Sequence, residues 1–430
     1  RIVAGTVFKE EGTAVAALNG LYARVAGGRP PFTSGGLTMY LGIYSDELGS
    51  NYPTTSTEFT DFANGRLSEN NAAVSTTYWR EAYEMIFHAN SIIKGLESSP
   101  IKENLKNQLL GETYFIRAFC YWYMQSLFGD VPLVLDPNDY ENNSIMPRTP
   151  VADVHTRVMA DLMEAKSRVS KTYPSTGKYR VNYYTVLAFL SRIYTNEGNW
   201  QDALNTSNEI IASNIYKLET DLNKVFLNTS TEAIWQSATD GAAYVIEANL
   251  LIPSTLATAR PNMPLTTQLL TAFESGDQRR SNWVASKTVS GTTWYYPYKY
   301  KVRTVGTGVA RTESLAMFRL AEIYLNRAEA KAHLSDATAK DDLNQIRNRA
   351  GLGSISPTGT SLTDAIIRER RIELFAEFGL RFFDLRRTNQ LDAINGAVKP
   401  AWISTGKLFP IPTAEITKNP FLTQNPGYYQ

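Results

Sequence analysis

The chain has 430 residues, 43% of them hydrophobic, enough to bury a large core, and nothing in its composition marks disorder or a fibre. Lys plus Arg number 43 against 42 Asp plus Glu, so the formal charge is +1 and no basic stripe offers a nucleic-acid backbone the field it needs. Cys120 is the only cysteine, which excludes an intrachain disulfide and any cysteine-based zinc site; set in Phe119-Cys120-Tyr121-Trp122, it reads as a small buried hydrophobe that says nothing of compartment.

Arg1-Ile2-Val3 carries neither a basic n-region nor a cleavage site, so if the protein is exported its signal is expected upstream of Arg1. Val15, Leu18, Leu21, Tyr22 and Val25 have the three-four spacing of an amphipathic helix over 13–26, with Thr13 as its cap. From 27 to 71 the text turns to Gly, Pro, Ser, Thr and Asn with scattered Tyr and Phe. That predicts mostly loop, and aromatic-rich loops are where binding usually sits. Aromatic residues make up 11% of the chain, with 24 Tyr, 18 Phe and 7 Trp, more than the core requires; some rings are expected on a binding surface.

Helical spacing returns at Trp79, Tyr83, Ile86, Phe87, Asn90, Ile93 and Leu96. Leu105 to Phe128 is apolar almost all round, which predicts a buried helix stopped at Gly129-Asp130-Val131-Pro132. Its apolar run, Tyr114 to Met124, is broken by Arg117 and falls short of the roughly 20 residues that span a bilayer, so no transmembrane helix is expected. Pro150 to Ser170 is amphipathic. Asn182 to Ser213 forms a pair whose Leu187, Leu190, Tyr194, Gly198, Trp200, Ala203, Leu204 and Ile211 match tetratricopeptide spacing.

Residues 214–311 read as an irregular insert, with β-type runs at Ala233–Gln236 and Trp294–Val302 and Pro-rich joints at 253, 261 and 264. Met317 to Ala350 resembles a second hairpin copy, and stacked hairpins need neighbours to bury their faces, so about three or four are expected. Ser361 to Asn389 is a final helix, and the prolines after Gly396 forbid another long one. The expected fold is mostly α: one domain over 1–430. A scaffold of tetratricopeptide-like hairpins at 72–213 and 312–395 carries irregular ligand-binding regions at 27–71 and 214–311, and a Pro-rich tail closes the chain at 396–430.

Signals for chemistry are few. His88, His155 and His333 are far apart and show no metal-ligand spacing. No GxSxG elbow or Walker loop occurs, and Gly306-Thr307-Gly308 lacks the third glycine of a dinucleotide fingerprint, so neither a cofactor nor a metal is expected. Glu369, Glu373 and Glu377, four apart, would share one helix face as a paired-carboxylate glycoside hydrolase requires. Arginines nearby, Arg370 for Glu373 and Arg381 for Glu377, would instead hold these carboxylates ionised, which favours a structural ion-pair network and a non-enzyme.

Three segments together resemble the SusD/RagB family of outer-membrane lipoproteins. Glu369-Arg370-Arg371-Ile372-Glu373-Leu374 with Gly379-Leu380-Arg381-Phe382-Phe383-Asp384-Leu385-Arg386-Arg387 resembles its ERRxELxxEGxRxxDLRR signature, with Phe378 where a smaller residue is usual. Gly111–Phe119 running into Phe128-Gly129-Asp130-Val131-Pro132-Leu133 is similar to GEAxFLRAxxY…GDVPLV. The close, Phe409-Pro410-Ile411-Pro412, Asn419-Pro420 and Gln424-Asn425-Pro426-Gly427-Tyr428, looks like PIPxxEIxxNPxLxQNPGY.

The resemblance implies a four-tetratricopeptide scaffold, lipid-anchored at the extracellular face of the outer membrane through a Cys upstream of Arg1. It also implies capture of glycans for a SusC-like TonB-dependent transporter, with peptide capture, as in the RagB branch, as the alternative. Sugars present apolar CH faces and many hydroxyls, so exposed rings with Asp, Asn or Arg partners are the candidates. Two groups qualify: Asp46, Tyr52, Phe59, Asn64 and Arg66 in the first irregular region, which matches the place where family members carry much of their site, and Trp283, Trp294 and Tyr295 in the insert. Trp79, Trp122 and Trp200, on helical faces, are assigned to the core.

Overall fold

The computed structural model describes residues 7–27, 32–237, 244–306 and 309–429; residues 1–3 and the pair 307–308, noted above, lie outside them. Helix α1 spans Glu11–Ala26 and buries Ala14, Leu18, Leu21 and Val25. Its N-cap position is Glu10, so Thr13 is not the cap; within the first turn its hydroxyl donates to the Glu10 carbonyl at 3.1 Å.

The stretch expected to be loop holds two helices. Every residue of α2, Leu37–Tyr44, is buried. Apolar on all sides, this helix leaves no 3.6-residue periodicity to read. α3, Thr57–Asn64, ends at Gly65 with φ +80°, a left-handed cap that glycine adopts without steric cost.

The scaffold follows as α4 (Glu81–Glu97), α5 (Glu103–Phe128), α6 (Val151–Arg168), α7 (Tyr183–Glu197) and α8 (Trp200–Ala212). α5 packs against both α4 and α6 and is buried almost all round from Gln108 on. Arg117, the charge inside its apolar run, donates to Asp161 of α6 at 2.7 Å from Nε and from Nη2, and to Asn90 of α4 at 2.8 Å, tying three helices together. α7 starts at a capping box between Asn182 and Thr185 and stops at Gly198, φ +72°. The second hairpin is α9 (Leu320–His333) with α10 (Ala339–Arg349); α9 packs on α8 and on α11 (Thr360–Glu373). The expected mostly helical class with short strands is what the structure shows.

In the insert, β1 (Ala233–Ser237) pairs antiparallel with β4 (Leu315–Arg319), both fully buried. β2 (Val284–Val289) and β3 (Thr292–Pro297) form a hairpin turned by Ser290 and Gly291 at φ +50° and +78°, the positive pair that matches strand twist. The expected final helix is broken: α11 ends at Glu373, and α12 (Leu380–Arg387) begins only after Ala376, Phe378 and Gly379 have taken positive φ. Hydrogen bonds from the Ala376 N–H to Glu47 and the Phe378 N–H to Thr38 hold this break, outweighing helix propensity. Beyond it come α13 (Leu391–Val398) and α14 (Thr413–Lys418). Asn425 then pins the tail by donating to the carbonyls of Phe128 at 2.8 Å and Phe409 at 2.7 Å. No helix among the described residues is long and apolar enough to cross a membrane.

Candidate functional site

The acidic block of α11 is sealed. Glu369, Glu373 and Glu377 are all under 7% exposed, and the helix break separates Glu377 from the face of the other two. Their partners are not the neighbouring arginines. Glu373 is held by Arg279, Arg319 and Arg349, and Glu377 by Arg319 and Lys299, while Arg370 pairs with Asp384 and Arg381 with Asp46. Burial pushes the Glu373 carboxyl up, but the charges of Arg349, Arg319 and Arg279 outweigh it and hold the group well below its usual range. Glu369 differs: burial pushes its carboxyl up against the lowering charges of Arg279 and Arg347, but it is sealed in the interior with the other two.

The two irregular regions, distant in sequence, lie side by side. Gly49 N–H donates to Pro264 O and Asn51 N–H to Asn262 O, both at 2.7 Å; Leu265 N–H in turn donates to Tyr295 O of β3 at 2.8 Å. Above this joint Tyr52 stacks on Phe59, with centroids 3.6 Å apart and rings tilted by 7°, and Phe59 stacks on the fully buried Tyr40 at 5.5 Å. Tyr40 is anchored in turn by its hydroxyl, which donates to Glu58. Burial raises the Tyr52 hydroxyl pKa, opposed by a hydrogen bond with Asn262. Half-buried Trp294 lies 6.0 Å from the guanidinium of exposed Arg260. Across the hairpin, Lys287 braces the adjoining loop through the carbonyls of Ser254 at 2.6 Å and Leu256 at 2.7 Å. The product is a shelf of half-exposed rings with an amide and a guanidinium at its edge.

Of the residues expected to bind, Tyr52, Phe59 and Trp294 belong to this shelf. Tyr295 points to the opposite face of β3, 4.6 Å from the Arg280 guanidinium. Asp46 is corrected to a structural residue: it is 3% exposed and accepts from Arg381 and Arg371, whose hydrogen bonds and charges outweigh burial and keep its carboxyl low. Trp283 is likewise corrected: it is fully buried, its indole N–H donates to Leu222 O at 3.0 Å, and Phe226 packs edge-on against it. Asn64 and Arg66 are exposed but lie toward the tail: Asn64 O accepts from Ala401 N–H, and the Arg66 charge acts on Tyr428. Trp79 and Trp122 are core, whereas Trp200 is half-buried and stacks on His333 at 4.0 Å. Asn262 and Arg260 were not singled out from the sequence; their signal was the flanking pair Pro261 and Pro264, which fixes the backbone that presents them.

Stacked helical hairpins bearing a ring-lined shelf on an insert define a helical-repeat scaffold with irregular, ring-bearing loops. The chain belongs to the SusD family, whose profile matches residues 160–428; a second profile, "Starch-binding associating with outer membrane", matches 37–195. Among its relatives, SusD-like protein P2 of Formosa agariphila is 26% identical, with 98% of this chain and 93% of that protein covered. Starch-binding protein SusD of Bacteroides thetaiotaomicron is 22% identical over 82% of this chain and 78% of that one. Among solved structures, a laminarin binding SusD-like protein superposes with TM-score 0.85 at 24% identity, covering 98% of this chain and 100% of the other. Surface glycan-binding protein A from Bacteroides thetaiotaomicron, in complex with laminarihexaose, gives 0.81 at 21%, covering 96% and 99%. These likenesses establish the fold.

Proposed function

We propose that this protein captures oligo- or polysaccharide at the extracellular face of the outer membrane, held there by a lipid anchor upstream of Arg1. It binds without a covalent step and hands its ligand to a SusC-like TonB-dependent transporter. The observation that carries this reading is the ring ladder ending in Tyr52, set beside Asn262, Arg260 and Trp294: apolar faces for sugar CH groups, with polar edges for hydroxyls. Relatives named for binding starch and laminarin, and one solved with laminarihexaose, support the ligand class, and the second family profile supports the outer membrane.

Affinity gel electrophoresis against laminarin, starch and a wider polysaccharide panel tests it, with Tyr52→Ala and Trp294→Ala run beside the wild type. Retardation of the wild type by one glycan, lost in either variant, supports the shelf. Equal retardation of all three proteins moves the site elsewhere. If no glycan retards the wild type while short peptides bind it, the RagB-like peptide reading replaces this one.

A further inference from the structure

A cleft of about 500 Å³, sharing no lining residue with the shelf, opens between α4, the segment 132–144 and α14, within the roughly 300–1,000 Å³ range of small-ligand sites. One wall is built from Trp79, Tyr83 and Phe87, whose four-residue steps align them on one face of α4 and the turn before it. Trp79 and Tyr83 pack at 5.2 Å, and the Tyr83 hydroxyl is fixed on Pro132 O at 2.9 Å, so the wall is preformed. Phe87 stands 39% exposed, leaving a ring face open to a ligand. The opposite wall comes from the family-signature tail, where Asn419 is locked by donating to Met146 O at 2.8 Å.

The mouth is polar. Glu84 is paired with Arg24 and Glu415 with Lys418, each at 2.9 Å, which leaves the Arg80 guanidinium as a donor; burial, then the Arg24 charge, lowers the His88 pKa. Among the described residues nothing bonds the Arg80 guanidinium or the His88 ring nitrogens, and Asn143 uses only its N–H, on Asp136 O at 2.7 Å. Donors and acceptors are thus both left over. An acyl chain would leave the rim unused, whereas a hydroxyl-rich sugar uses the ring wall together with Arg80 as donor and the open Asn143 and His88 positions.

We propose that this cleft is a second binding site, taking a segment of neutral oligosaccharide with Phe87 as its stacking platform. The choice of sugar rests on the glycan reading above.

Calorimetric titration of the full chain with laminarihexaose and maltohexaose tests it, with the double variant Tyr52→Ala/Trp294→Ala silencing the shelf. The expected result is two sites in the wild type and one in the double variant. That remaining site should weaken about two- to tenfold with Phe87→Ala, the worth of one ring contact, and vanish with Ser144→Trp, which fills the mouth from an exposed position. Thermal melting of both added variants checks that they are folded. A double variant that binds nothing while the wild type binds sugar leaves the glycan reading standing and overturns the second site. So does residual binding that neither added substitution moves, or a residual site that takes tetra-alanine and no sugar. If the wild type binds no probe, both readings fall together.

Discussion

Two regions of this molecule invert what their sequences suggest. The charged block around α11 has the residue types of catalysis and is closed: Arg319 alone donates to Glu232, Glu373 and Glu377, all in the interior. The Gly- and Asn-rich stretch around Tyr52 keeps its carboxylates Asp46 and Glu47 buried and its rings half-open, supported from below. Charges taken out of water must be fully paired and thereby lose their reactivity; rings can be half-buried at little cost and keep a free face. Chemistry-bearing residue types therefore mark the core here, and the proposed contact surface is built from the bland text.

Arg319→Met should break that contrast hardest. It takes a shared partner from three buried carboxylates, leaving Glu232 and Glu373 to Arg349 and Glu377 to Lys299, and should lower unfolding free energy by about 3–5 kcal/mol in urea titration, with glycan retention intact in whatever remains folded. Next comes a matched pair of tryptophans. Trp283→Ala empties the core and should cost about 3–5 kcal/mol, whereas Trp294→Ala should stay within about 1 kcal/mol in the same titration and lose retention. Equal stability losses in both would erase the distinction between interior and shelf.

The third effect is on pH. Burial, reinforced by the Asp46 charge, pushes Glu47 from 4.5 up to about 8, and burial pushes Glu247 up to about 7. Between those values and 4.5 the folded chain keeps protons that the unfolded chain has released. Their contribution is therefore complete below about pH 4.5 and lost as pH rises toward 8. Lys299, depressed from 10.5 to about 8 chiefly by burial, acts with the opposite sign, restoring stability above pH 8. Melting temperature followed from about pH 5 to 10 should show a dip near 8, and Glu47→Gln should shallow it. The smallest effect is Arg66→Ala: stability should move by no more than about 0.5 kcal/mol and retention should stay unchanged, and a loss of binding would enlarge the shelf toward the tail.

The long amphipathic helices were legible because their burial repeats every three to four residues, and the tetratricopeptide spacing at Leu187–Ile211 located the hairpins. α2 was not, since a helix buried on all sides carries no period, nor was the break at Ala376–Gly379, which depends on carboxylates and hydroxyls hundreds of residues away. Half the shelf was readable: Tyr52, Phe59 and Trp294 announced themselves as rings in polar text. Trp283 and Asp46 carried the same local signal and are buried, because Leu222, Arg371 and Arg381 reach them from distant segments. The ion-pair network was foreseen in kind but not in pairing, since its partners come from β4, α10 and the insert rather than from the next helical turn.

The ladder Tyr40–Phe59–Tyr52 has a thermodynamic consequence. A lone tyrosine on a loop would surrender its rotamer freedom each time a ligand arrived, whereas this one surrendered it once, during folding. Residence time on such a surface should then respond to the support as well as to the contact: Tyr40→Leu, at the buried foot of the ladder, would speed release as trimming Tyr52 does.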